Sequence, residues 1–221
     1  CESASGFPEL LESHELVGAV QAVESRGWVQ MYVRRGTKHE RLEVASGQPG
    51  VVASIRVGRG EAGTERVVVA AVHLPVGDGG AKRERVLRQV LGSTGEERGR
   101  VLLVGDMNAK DDEVGSFCKE MELSESRYTG FSWGVKGNKF YADLEYAGPG
   151  LRKDRVLFGE GLWAESYLVG QGRLFFDGQE FCLSDHFGVM TFVDAGRIYA
   201  SRAQHEMAAA RVRRAQVVRL R

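Results

Sequence analysis

Short apolar blocks, most of them bounded by glycine, alternate along this chain with longer amphipathic stretches, and that alternation is its main structural signal. Trp28–Val33 (WVQMYV) and Val51–Val57 (VVASIRV) are rich in β-branched and aromatic residues, which predicts strands. Arg66–Leu74 (RVVVAAVHL) is an unbroken apolar run of strand length; such a run needs cover on both faces, so it is expected to lie centrally in a sheet. Arg100–Gly105 (RVLLVG), Asp154–Phe158 (DRVLF), Leu162–Val169 and Phe187–Val193 (FGVMTFV) read as further strands. Ala81, Val86, Leu87, Val90 and Leu91 mark one face of a helix whose other face carries Lys82, Arg83, Glu84, Arg85 and Arg88. A second helix is expected over Phe7–Val23, where Leu10, Leu11, Leu16, Val17 and Val20 recur at three-to-four residue spacing after Pro8. Ser124–Gly150 has glycines and aromatics without a period and reads as long loops carrying Tyr128, Trp133, Asn138 and Tyr141.

Strands interleaved with helices, several of them buried on both faces, predict an α/β (α+β) domain in which helices cover sheet layers. At 221 residues with 43% hydrophobic positions, the chain has room for one substantial core. That core is expected over residues 1–196, followed by a basic tail, 197–221, with helix-forming composition. The 30 basic and 30 acidic residues cancel overall, so no global field draws in a polyanion and any such attraction must be local. The tail nonetheless holds seven arginines against Glu206, a net of +6 that leaves −6 on the rest.

Cys1, Cys118 and Cys182 are too few and too widely spaced for a zinc ribbon or a disulfide framework, and a reducing compartment is the default expectation. Cys118 and Cys182 read as small apolar residues, and His14, His39 and His205 as surface histidines. No apolar run approaches the ~20 residues of a membrane-spanning helix.

The chemistry gathers at strand ends. His73 closes VVVAAVH, Asp106 and Asn108 follow LLVG, Asp154 opens DRVLF, and Asp185-His186 precede FGVMTFV. Each one alone is an ordinary cap or turn residue. Together they are costly, because a buried carboxylate or imidazole loses several kcal/mol of hydration unless it is paired.

In order and separation, GDMN, the acid-rich DDEV, LRKDRVLF and SDHFGV resemble the endonuclease/exonuclease/phosphatase superfamily related to deoxyribonuclease I. GDMNAKDDEV with FSWGVKGN and LRKDRVLF looks most like its 5′-tyrosyl-DNA phosphodiesterase members. The resemblance spans residues 1 to 194 and implies a four-layer sandwich, two β-sheets between helices, with the site where strand-end loops converge. It also implies roles: Asp106 orients and deprotonates the attacking water, and Asn108 holds that water or a phosphoryl oxygen. His186 lies against the phosphate with Asp154 fixing its tautomer, and His73 makes a second phosphate contact.

The same resemblance assigns Asp185 and Glu2 to a Mg²⁺ (or Mn²⁺) ion, Glu2 standing 26 residues before Trp28 as the family's metal-binding Glu stands before its next strand pair. Cys1 occupies the place of that motif's usual Gln. With the metal ligand at the chain's start, the domain is expected to be N-terminally truncated, lacking its first strand and helix. Trp133 and Asn138 are expected to line a substrate groove, by stacking on or bonding to a nucleotide.

The implied substrate is a phosphodiester in nucleic acid or a tyrosyl-DNA adduct, and the basic tail is a candidate contact for nucleic acid or an acidic partner. One departure counts against the adduct: His73 is followed by Leu-Pro-Val-Gly-Asp rather than by the acidic and hydroxyl-bearing segment of the tyrosyl-DNA enzymes. Two other readings stand beside this one, a phosphatase or phospholipase of the same superfamily, and a non-catalytic phosphate-binding remnant.

Overall fold

The structure, a computed structural model, describes residues 12–21, 28–44, 50–57, 65–77, 79–95, 98–134, 150–171, 174–176, 179–181 and 184–195. Six strands form the main sheet in the order β3 (His39–Leu42), β4 (Gly50–Val57), β5 (Glu65–His73), β6 (Val101–Asp106), β8 (Asp154–Gly159) and β7 (Leu123–Glu125). Among the described residues only β5 and β6 pair in parallel; the other pairings of this sheet are antiparallel. Helix α1 (Gly80–Gly92) makes the crossover between those two strands, as a parallel pair requires.

Strand alternation divides the apolar residues between two cores. Val52, Val68, Ala70, Val72, Val101, Leu103 and Leu157 face α1, through Val86, Leu87, Val90 and Leu91, and α2 (Asp111–Met121), through Val114 and Phe117. Their sequence neighbours face the other way. Val51, Ala53, Val69 and Ala71 pack on β1 (His14–Gln21) and β2 (Trp28–Arg34), while Leu102, Val104, Val156 and Phe158 join Leu162 and Val189 under β9 (Trp163–Val169) and β12 (Gly188–Asp194). The run 66–74 is apolar throughout because both of its faces are covered. Two antiparallel pairs, β1–β2 and β9–β12, thus form a second strand layer, and the molecule is the α/β sandwich expected from its sequence. A short pair, β10 (Leu174–Phe176) and β11 (Gln179–Phe181), completes the described strands.

Two sequence expectations are corrected. The segment expected as a helix over Phe7–Val23 is helical at residues 12–13 but from His14 to Gln21 is strand β1, paired from His14↔Arg34 to Gln21↔Trp28 with an irregularity between Leu16 and Gly18. That bulge inserts one residue into the alternation, so Leu16 is exposed while Val17 and Gly18 are both buried, and the pattern mimics helical spacing. A methyl group on Gly18 would come within 3.0 Å of a Val51 methyl, so glycine lets β1 approach β4. The second correction is Arg83, expected on the solvent face of α1 but only 3% exposed.

The sequence reading also passed over α2. Three acids, Asp111, Asp112 and Glu113, occupy its first turn, where the helix dipole favours negative charge, and Glu113 accepts the Lys110 N–H at 3.0 Å. It ends at Glu122, whose left-handed φ of 56° closes the turn. Residues 1–11, on which the expectation of a truncated start rests, and the basic tail lie outside the described residues.

Candidate active site

The ladder of the main sheet aligns three chemical groups. His73 pairs in register with Asp106 across β5–β6, and Asp106 with Asp154 across β6–β8, so the three occupy one row at one edge of the sheet. Leu74 N–H extends the ladder by one bond to the Asp106 carbonyl at 2.8 Å. Gly105, just before Asp106, has a φ of 135°, and a Cβ there would lie 2.0 Å from the Val72 carbonyl oxygen. Only glycine lets the strand reach Asp106 in this register.

Past the strand, Met107 is fully buried and donates its N–H to the Lys153 carbonyl at 2.9 Å. Asn108 then turns left-handed, with φ 46°, a conformation that asparagine tolerates better than most side chains. Its backbone N–H donates to Asp106 Oδ1 at 2.9 Å and its side-chain amide to the Leu74 carbonyl at 3.0 Å. The amide thereby ties the loop after β6 to the loop after β5.

His186 comes from the opposite layer, just before β12. Its Nδ1 lies 2.7 Å from Asp154 Oδ2, and its Nε2 lies 3.9 Å from Asp106 Oδ2 and 4.0 Å from Asp185 Oδ2. His73 Nε2 is 3.7 Å from the same Asp106 oxygen. Ionised, the Asp154 carboxylate can only accept, so the proton sits on His186 Nδ1 and Nε2 is turned toward the other two acids. The Asp106 side chain is 15% exposed and that of Asp185 31%, so solvent reaches the cluster but does not flood it.

Electrostatics follow from this crowding. Burial pushes the Asp106 carboxyl above its ordinary range and the Asp154 charge adds to the push, against the Asn108 N–H and the two imidazoles, which oppose it. For His186, burial alone would lower the pKa. The hydrogen bond and charge of Asp154, with the charges of Asp106 and Asp185, outweigh it and the net shift is upward.

Supporting groups that sequence reasoning missed hold this arrangement. The fully buried Ser132 hydroxyl accepts the N–H groups of Lys153 and Asp154 at 3.2 and 3.1 Å, while its carbonyl accepts Phe187 N–H at 2.7 Å. Tyr128 donates its hydroxyl to the Asp154 carbonyl at 2.8 Å, and burial raises its pKa, keeping that proton in place. Trp133 forms single β-bridges to both Leu151 and His186, and its ring centroid lies 6.5 Å from that of the imidazole. Nothing in the sequence marks Ser132; Tyr128 and Trp133 stand out only as aromatics in a loop. Cys118, at the far end of α2, is half-buried with its thiol pushed up to about 11 by burial, as suits a packing residue.

Six of the nine candidate residues, His73, Asp106, Asn108, Asp154, Asp185 and His186, therefore come together with Trp133 beside them. Glu2 and Asn138 lie outside the described residues. Among the described residues no three His, Cys, Asp or Glu side chains gather as a metal-binding group. The donors present still suit Mg²⁺, a hard cation that keeps several waters and is commonly held by only one or two carboxylates.

No family model matches the chain, and no curated protein matches it. Solved structures do. D. rerio TDP2, complexed with single strand DNA product, aligns with a TM-score of 0.57 at 16% identity over 83% of this chain and 78% of that one. An endonuclease/exonuclease/phosphatase family protein from Bacteroides thetaiotaomicron aligns with a TM-score of 0.54 at 15% identity over 84% and 76%. The chain shares the fold of these solved structures. Truncated Caenorhabditis elegans TDP2 gives a TM-score of 0.52 at 18% identity over 83% and 76%. In this fold the row His73, Asp106, Asp154 lies at the strand ends of the main sheet, and His186 reaches it from the second layer.

Proposed function

We propose that this chain is a metal-dependent phosphoric ester hydrolase acting on phosphodiester bonds in nucleic acid or a tyrosyl-DNA adduct. The observation that carries the reading is the 2.7 Å contact from His186 Nδ1 to Asp154, which leaves Nε2 about equidistant from Asp106 and Asp185 at 3.9 and 4.0 Å. A structural histidine would have both nitrogens satisfied by its surroundings; this one directs its second nitrogen into a cluster of acids open to solvent.

Asp106, raised in pKa yet within reach of two imidazoles, takes the proton of the attacking water as general base. Asn108 has used one amide hydrogen on Leu74 and keeps the other for the water or a phosphoryl oxygen. His186, oriented by Asp154 and with its pKa raised by the surrounding carboxylates, donates from Nε2 in its imidazolium form to the phosphoryl oxygens as charge builds on them, and His73 supplies a second contact. Asp185 and Glu2 would hold Mg²⁺ or Mn²⁺, which when bound neutralises charge on those oxygens. Trp133 and Asn138 contact the nucleotide. Nucleic acid is favoured as substrate because D. rerio TDP2, of the same fold, was solved with single strand DNA product.

The test is turnover of 5′-tyrosyl-DNA, abasic DNA, poly(A) RNA and inositol phosphates by the 221-residue chain, with and without Mg²⁺. Asp106→Asn is expected to lower kcat by roughly 10²–10⁴ with little change in binding. Binding without turnover, unaffected by that substitution, would instead identify a phosphate-binding remnant. Release of phosphate from inositol phosphates alone would identify a phosphatase.

A further inference from the structure

Three basic residues cluster where the chain enters β8, and they differ in what neutralises them. Arg152 pairs with Asp111 at 2.7 Å, and Arg155 pairs with Glu125 at 2.7 Å and with Asp111 at 2.5 Å. Lys153, between them, has no carboxylate partner among the described residues. Its ammonium rests instead over the face of Trp133, 3.5 Å from the ring centroid. An aromatic face attracts a cation without neutralising it.

The backbone of Lys153 is anchored on both sides. The Lys153 N–H is bonded to the buried Ser132 hydroxyl at 3.2 Å and its carbonyl accepts Met107 N–H at 2.9 Å. The residue is thereby anchored both to the segment that carries Trp133 and to the loop that carries Asp106 and Asn108. Trp133 limits where the side chain can go, and its ring lies 6.5 Å from the His186 imidazole. Adding the two centroid distances leaves the ammonium no more than about 10 Å from the His186 ring. A separation of that size is on the order of the spacing between neighbouring phosphates of one strand.

We infer that Lys153, seated on Trp133, binds a backbone phosphate flanking the scissile one, and so selects a polynucleotide over a small phosphate ester. The inference rests on the hydrolase reading and narrows its substrate. A compact ammonium suits the task, since a lysine meets phosphate as a point charge and needs no bidentate geometry. A small ester carries only the phosphate under attack and has nothing to offer a second cation at this distance.

The experiment compares a single-stranded oligonucleotide with bis(p-nitrophenyl) phosphate, using the whole chain with Mg²⁺. Lys153→Gln is expected to raise the oligonucleotide KM about tenfold with kcat changed less than about twofold. The ratio of oligonucleotide to small-ester kcat/KM should then fall about tenfold. Lys153→Arg, which keeps the charge, should recover most of it.

A second readout is oligonucleotide binding by anisotropy in an Asp106→Asn background, where Lys153→Gln should reduce the slope of log K against log salt by ~0.7, the loss of one single-strand phosphate contact. An unchanged specificity ratio or an unchanged salt slope overturns the role of Lys153 while leaving the hydrolase reading standing. Absence of both turnover and oligonucleotide binding in the unsubstituted chain overturns both.

Discussion

Replacing Arg155 by methionine tests whether the network beneath the site is as dry as its geometry implies. The Arg155 side chain is 2% exposed and faces Glu125, itself 9% exposed, at 2.7 Å. Breaking a buried pair from one side costs ~3–5 kcal/mol, because the remaining charge is left without compensation. Two features set the value here. Asp111, its second partner, is 60% exposed, so that pair adds at most ~1 kcal/mol. Glu125 keeps Arg127 at 2.7 Å after the change, which favours the low end of the range.

A loss of about 3 kcal/mol follows, equivalent for a domain of this size to a Tm lower by roughly 6–12 °C. Urea unfolding followed by tryptophan fluorescence and far-UV circular dichroism measures it. If the cause is the stranded charge, the double variant Arg155→Met/Glu125→Leu should recover to within ~1.5 kcal/mol of the parent, since an apolar pair replaces an ionic one at little cost. A single-variant loss below ~1 kcal/mol would refute the reasoning, because that is the value of a solvated pair. A double variant weaker than the single would show that shape matters at this position more than charge.

Two glycines should respond oppositely to the same change. Gly105→Ala forces a Cβ to within 2.0 Å of the Val72 carbonyl at a φ of 135° and is expected to cost ~3 kcal/mol or more, or to prevent folding, as read by thermal melts. Gly115→Ala, in α2 with open space around it, should stabilise by up to ~1 kcal/mol. Asp111, held at about 2 by hydrogen bonds from Arg155 and Arg152 against an ordinary 3.8, contributes stability above its unfolded value that disappears as pH falls toward 2. Asp111→Asn should therefore flatten the fall in stability over that window, measured by urea titrations at successive pH. Asp154→Asn leaves His186 without the carboxylate that fixes its tautomer and should lower single-turnover rates by ~10²-fold or more with the circular dichroism spectrum unchanged.

What the sequence disclosed follows from where one physical constraint acts alone. The run 66–74 announced a central strand because burial on both faces leaves no room for polar residues. Asp106, Asp154 and His186 stood out because charged groups adjoin apolar strands, where they are expensive. β1 misled because its bulge breaks the alternation at Val17, so two constraints, pairing and packing against β4, blend into a false helical period. Helix α2 is legible in principle, since Val114, Phe117, Cys118 and Met121 recur at helical spacing behind three acids. Arg83 could not be foreseen on the buried side. Its guanidinium reaches the carbonyls of Pro75 and Gly77 and the Glu113 carboxylate, partners that only the folded loops bring together. Ser132 and Lys153 were silent for the same reason.

The pairing of β5, β6 and β8 places residues 73, 106 and 154 shoulder to shoulder, and residue 186 joins them from another layer. No short fragment of the polypeptide contains even a rudimentary version of this centre. Distant pairings close late, after the entropy of large loops has been surrendered. Enzymatic competence would accordingly be an all-or-nothing property here, regained only when the last long-range contact forms, which makes turnover a stringent gauge of complete refolding.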